Sequence, residues 1–184
     1  MDEKTGLQRI EMDTVTTQNN NYNVDELLTQ MTQNLLEYIE DKKLEKPVMV
    51  GIHTAGVWIA ERLHESLGIQ ETLGELNISF YRDDFSKIGL HPQIKPSKLP
   101  FSIENKHIIL IDDVLYTGRT IRAAMNELFD FGRPASITLA VLVNRGDQEL
   151  PIKAQIVGFE SVETDNYFKL TKTNNRLELN AVKS

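Results

Sequence analysis

The chain has 184 residues, 40% of them hydrophobic, which is enough for one domain with a sizeable core. It has no cysteine, excluding disulfides and thiolate metal sites and according with a reducing cytoplasm. The formal net charge of −7 is uneven: residues 1–46 hold ten acids and five bases, the other 138 residues seventeen and fifteen, so the body carries only −2 and leaves room for a local basic patch.

Residues 1–22 are polar, end in "TTQNNN" and show no apolar period. They read as a disordered extension ahead of a domain over residues 23–184, without the apolar core of a signal peptide. Asn23 and Glu26 form a capping pair. After them Leu27, Leu28, Met31, Leu35, Leu36 and Ile39 recur at helical spacing and predict a helix with that stripe on the core. "VMVGI" reads as a short buried strand, and "VWIAERLHESLG" as a helix closed by Gly68, with Trp58 in the core. "LNISFY" alternates like a strand. Residues 82–100 then carry a glycine and three prolines with weak periodicity, as lids do. "HIILI" reads as the next buried strand, Ile121 to Phe131 as a helix ended by Gly132, and "SITLAVLV" and "AQIVGF" as further strands. No run of eighteen apolar residues could span a membrane.

Strand and helix in alternation imply a mostly parallel sheet with helices on both faces. Ligands bind such sheets at the carboxyl ends of the strands. Residues 53–56, 82–100 and 112–120 leave those ends, and residues 144–151 follow the next strand.

"YTGRT" sits between strand and helix, where backbone N–H groups and the helix N-terminus can converge on one anion. Thr117 and Thr120 add hydroxyl donors, Gly118 close approach and Arg119 charge. The run is neither a Walker A loop nor a Rossmann fingerprint. Asp112 and Asp113, just before it, would repel a phosphate, but carboxylates accept hydrogen bonds from vicinal hydroxyls and hold Mg²⁺. A ribose 5-phosphate satisfies both halves. The histidines His53, His64, His91 and His107 have no metal-ligand spacing. His53 and His91 are candidates to face the site, and His64 and His107 read as surface residues.

The run Ile108, Ile109, Leu110, Ile111, Asp112, Asp113, Val114, Leu115, Tyr116, Thr117, Gly118, Arg119, Thr120 resembles the phosphoribosyl-pyrophosphate (PRPP) signature of type I phosphoribosyltransferases. "DDVLYTGRT", "YRDDFS", "GRPASI" and "NRGDQELPIKAQIVG" are similar, in kind and order, to landmarks of the PyrR family, pyrimidine operon attenuation proteins that are also uracil phosphoribosyltransferases. The resemblance covers residues 24–160.

It implies the α/β type I phosphoribosyltransferase fold with a flexible lid loop. It implies Asp112 and Asp113 on the ribose hydroxyls and residues 115–120 around the 5′-phosphate. His53, Thr54, Ala55 and Gly56 would form a pyrophosphate loop with a non-proline cis peptide. Ala55 stands where arginine is common, and Arg82 is the candidate to supply charge instead. Tyr116, Arg133 and Val157 would contact or support the base, with Arg145 near the ligand. A phenol at position 116, where purine relatives carry aspartate, suits a pyrimidine. The implied reaction transfers ribose 5-phosphate from PRPP to uracil, giving UMP and pyrophosphate. Mg²⁺ would arrive on PRPP, with no metal ligand set supplied by the protein. UMP or UTP would be sensed, and the leader of a pyrimidine-operon mRNA bound. A cytoplasmic homo-oligomer, dimer or tetramer, with no membrane association is expected. The rival readings are a uridine-nucleotide-sensing RNA-binding regulator with little catalysis, and a purine phosphoribosyltransferase.

Overall fold

Four of the five expected strands, with a three-residue strand beside them, form one parallel sheet. The computed structural model describes residues 22–78, 96–161 and 166–183. Residues 1–21 and 79–95 lie outside the described residues, and with them most of the loop expected as a lid over 82–100, including Arg82 and His91. The strands are β1 (Val48–Ile52), β2 (Gly74–Leu76), β3 (His107–Leu115), β4 (Ser136–Asn144) and β5 (Ile156–Glu160), in the order β2-β1-β3-β4-β5. Every neighbouring pair is parallel. All five residues of β1 are buried. Burial on both faces explains why these segments read as unbroken apolar runs.

Alternate side chains feed two cores. Met49, Ile109, Ile111 and Leu142 join Met31 and Leu35 of α1 (Val24–Asp41) and Ile59 and Leu63 of α2 (Ala55–Leu67). Val50, Ile108, Leu110 and Val141 join Ile121, Ala124 and Leu128 of α3 (Arg119–Phe131) on the opposite face. Helices therefore cover both faces. Asn23 caps α1 through a hydrogen bond from the Glu26 N–H to its side-chain oxygen at 3.3 Å. The buried stripe of α1 is Val24, Leu28, Met31 and Leu35. Leu36, expected in the core, is 50% exposed, because it falls about 100° around the helix from Leu35.

Three boundaries differ from the expectation. β3 runs on through Leu115, so both aspartates belong to the strand, and α3 begins at Arg119 rather than Ile121. The strand foreseen in "LNISFY" ends at Leu76 among the described residues. Asn77 beyond it donates its backbone N–H to Ser97 Oγ at 2.9 Å, so the described residues on the two sides of 79–95 meet.

An antiparallel hairpin not among the expected elements, β6 (Asn166–Thr173) and β7 (Arg176–Lys183), follows the sheet. Its turn residues Asn174 and Asn175 have φ of 48° and 66°, the left-handed conformation that two-residue hairpin turns need and asparagine tolerates. Phe168, Leu170, Leu177, Leu179 and Ala181 point into the core beside α1 and α2. Tyr22, assigned to the extension, belongs to the fold: it bridges Leu179 and packs against Phe159 and Phe168 at ring-centroid distances of 4.9 and 5.8 Å.

The hairpin is thus part of the core. Leu179→Ala, at a position 4% exposed, is expected to cost about 2–5 kcal/mol in urea unfolding. A loss below about 1 kcal/mol would mean that the hairpin docks loosely.

Candidate active site

The chain leaves β1 toward β2 on one side and returns on the other as β3, so the sheet's topological switch point lies between β1 and β3. The loops at that point are residues 53–56 and the turn after Leu115, and they face each other across a cleft of about 540 Å³.

The first loop opens α2. The His53–Thr54 peptide is cis, as the resemblance implied. His53 is turned away from the cleft: its backbone N–H donates to the Leu76 carbonyl at 2.8 Å, and its Nε2 lies 2.8 Å from Glu75 Oε2 on β2. Thr54 and Ala55 line the cleft. Gly56 touches β3 so closely that a Cβ there would lie 2.7 Å from the Ile111 carbonyl oxygen and 3.0 Å from the Asp112 Cα. Trp58, expected in the core, sits only partly there and also lines the cleft.

The structure separates the two acids. Asp113 is half-buried and faces the cleft. Asp112 is 2% exposed, beneath it, and its Oδ1 accepts the Asp113 backbone N–H at 3.0 Å. Beyond them Gly118 has a φ of 89°, which favours glycine, and turns the chain into α3. Residues 117–120 line the cleft where the first N–H groups of α3 have no intrahelical acceptor. Arg119 lies there, but its Nη2 donates to Glu149 Oε2 at 2.7 Å, so its charge is already shared with a carboxylate.

The loop after β4 braces this turn from behind. The Arg145 N–H donates to the Leu115 carbonyl at 3.0 Å, and the Glu149 and Leu150 N–H groups to the Thr117 carbonyl at 3.0 and 3.2 Å. Arg145 is 9% exposed, and its guanidinium carbon sits 3.9 Å from the centroid of the Tyr116 ring, a close cation–π stack. Tyr116 is 45% exposed, and both line the cleft.

Two expected base supports lie elsewhere. Arg133 is at the opposite end of the strands, where its carbonyl accepts the Asn105 N–H at 2.8 Å and its N–H meets Glu104 at 3.0 Å. It follows α3 rather than a strand, so the fold carries it away from the cleft. Val157 is inside β5, in register with Val141, and packs on the α3 side of the sheet. Conversely, Tyr167, Phe168 and Leu170 of the unforeseen hairpin wall the cleft, and Tyr167 is 59% exposed. The alternation of "YFKL" and "RLEL" about "NN" was the available signal for them. His64 and His107 are occupied at partly exposed positions, by the Glu71 carbonyl and Ser136 Oγ at 2.7 and 2.8 Å.

A parallel sheet of this order, with a helix-opening turn and an acid side by side at its switch point, accords with a phosphoribosyltransferase, and the phosphoribosyl transferase domain family matches residues 19–173. Within that class the chain belongs to the PyrR family. It is 56% identical over 138 residues to the bifunctional protein PyrR of Nitrosococcus oceani, spanning 74% of this chain and 78% of that one. It is 55% identical over 136 residues to that of Pseudomonas aeruginosa, spanning 74% and 80%. The fold is shared with a hypoxanthine-guanine-xanthine phosphoribosyltransferase, at a TM-score of 0.62 and 20% identity over 94% of each chain. A hypoxanthine-guanine phosphoribosyltransferase from Bacillus anthracis gives a TM-score of 0.63 at 18% identity, over 79% of this chain and 83% of that one.

The contact at Gly56 sets the spacing of the two loops. Gly56→Ala is expected to destabilise the fold by about 1–3 kcal/mol, because the new methyl meets backbone. It should also change the emission of Trp58, the single tryptophan, two residues along α2. Unchanged unfolding and fluorescence would show that the loop moves aside freely.

Proposed function

We propose that the protein transfers ribose 5-phosphate from PRPP to uracil, forming UMP and pyrophosphate, and that the same pocket senses uridine nucleotides for control of pyrimidine genes. The observation that carries this reading is the pairing, in one cleft, of an acid facing inward at Asp113 with the open start of α3 at residues 117–120. Hydroxyls at one end of a ligand and a phosphate at the other match that pair.

In the reaction the bond from the anomeric carbon to pyrophosphate breaks with its electron pair, a bond to uracil N1 forms, and the N1 proton leaves. Positive charge gathers on the sugar and negative charge on the leaving group, so positioning and electrostatics supply the catalysis without a covalent nucleophile. Asp113 accepts the ribose hydroxyls, and Asp112 holds the strand end beneath it. The Thr117 and Thr120 hydroxyls and the first amides of α3 hold the 5′-phosphate. The backbone of residues 54–56 receives pyrophosphate, and Arg82 of the lid segment replaces the charge that Ala55 lacks. Tyr116, with Arg145 stacked on it, borders the base from one side and Tyr167 of the hairpin from another.

Among the described residues no cluster of three or more His, Cys, Asp or Glu side chains could hold a metal by itself. If Mg²⁺ arrives on PRPP, Asp113 is the cleft-lining carboxylate that would meet it. When bound, the ion would neutralise charge on the departing pyrophosphate.

The word "bifunctional" in the relatives' names supports a regulatory role beside catalysis. For this chain the proposed partner is the leader RNA of a pyrimidine operon, bound by a cytoplasmic homo-oligomer. No helix among the described residues is long and apolar enough to cross a membrane. Salt-sensitive RNA binding strengthened by UMP is the expected behaviour in filter binding.

A PRPP-dependent assay across uracil, hypoxanthine, guanine and orotate is expected to give turnover with uracil and little with the others. Turnover with hypoxanthine or guanine instead would make this a purine enzyme. A second test separates the two acids. Asp113→Asn is expected to lower kcat/KM for PRPP about ten- to a hundredfold with an unchanged melting temperature, the loss of charged hydrogen bonds to substrate. Asp112→Ala is expected to cost about 1–3 kcal/mol of stability, because the Asp113 N–H loses its acceptor. The reverse pattern would exchange their roles.

A further inference from the structure

The ion pair between Arg119 and Glu149 has a feature that catalysis does not require. Arg119 is the first residue of α3 and lines the phosphate end of the cleft. Its guanidinium Nη2 is 2.7 Å from Glu149 Oε2, and each side chain is 53% exposed. Glu149 thus places a carboxylate on the cation that a ligand phosphate would otherwise meet. The loop carrying it needs no such pair to stay in place, since the backbone N–H groups of Glu149 and Leu150 already donate to the Thr117 carbonyl. Leu150 and Ile152 also pack behind Gly118, at 3.4 Å from where a Cβ would stand. The carboxylate can therefore leave Arg119 without releasing the loop.

We propose that Glu149 is an affinity-setting residue, an internal anion that holds Arg119 until the 5′-phosphate of a ligand displaces it. This rests on the reading of residues 117–120 as a 5′-phosphate cradle. An exposed pair of this kind is weak, so exchange is cheap: one carboxylate leaves and a doubly charged phosphate arrives on the same guanidinium. The consequence is a cradle that accepts phosphorylated ligands yet releases them, which suits a pocket that must follow nucleotide concentration and also discharge its product. The pair acts only on the phosphate, and the base end of the cleft lies beyond it.

The test is calorimetric titration of the full chain and its E149Q variant with UMP, uridine and inorganic phosphate. E149Q keeps the backbone bonds to Thr117 and removes only the charge. The expected result is UMP and phosphate binding tightened about two- to fivefold, with uridine unchanged. In an R119A background the same substitution should have no effect, as a double-mutant cycle requires if the two side chains act as one unit. Unchanged or weaker UMP and phosphate binding in E149Q would overturn the proposal, as would equal tightening of uridine. If neither protein binds UMP but E149Q still tightens phosphate, the uracil reading fails and the role of Glu149 stands.

Discussion

The cleft depends on how closely two backbones meet at the switch point of the sheet. Gly56, at the start of α2, rests on the Ile111 carbonyl and Asp112 near the end of β3, where there is no room for a side chain. That contact holds the loop of residues 53–56 against the strand that carries the acids. It also places the starts of α2 and α3 at neighbouring strand ends, on opposite faces of the sheet. Two helix N-termini beside a carboxylate are an unusual electrostatic combination, since they favour anions that the carboxylate repels. A ligand bearing phosphate groups at its ends and hydroxyls between them resolves the conflict, and PRPP has that form.

The other elements keep this arrangement rigid and shaped. The loop after β4 ties Leu115 and Thr117 by three backbone hydrogen bonds, which add to the turn's own bond from the Arg119 N–H to Thr117 Oγ1 at 3.3 Å. Arg145 on that loop is stacked on Tyr116 and nearly buried, which holds the tyrosine against the cleft. The hairpin adds the remaining wall. Its core residues Phe168 and Leu170 are shared between the packing of α1 and α2 and the lining of the cleft, which couples stability to the shape of the site.

Much of this was legible in the sequence because the parallel sheet imposes a plain code. Strands buried on both faces must be apolar throughout, and the acids and glycine that interrupt such a run stand out. The positions of Asp113, Gly118 and the residue 53–56 loop followed from that. What was hidden depended on geometry between distant segments. Adjacent Asp112 and Asp113 point to opposite faces of β3, and which of the two the fold covers depends on what packs on each face. Arg133 looked like a ligand residue because the resemblance placed it there, whereas it follows a helix and so emerges where strands begin. Val157 lies inside β5 and packs on the α3 side of the sheet. The hairpin had a readable alternation about "NN", but it lay beyond residue 160, where the resemblance ended, and its docking onto the cleft is a tertiary fact.

The central claim is that one cleft holds a ribose 5-phosphate by its two ends, and a crystal structure of the chain with UMP tests it most directly. The phosphate is expected on the amides and hydroxyls of residues 117–120, the ribose hydroxyls on Asp113, and the ring beside Tyr116. A phosphate bound outside the start of α3, or a ribose that leaves Asp113 untouched, would contradict it.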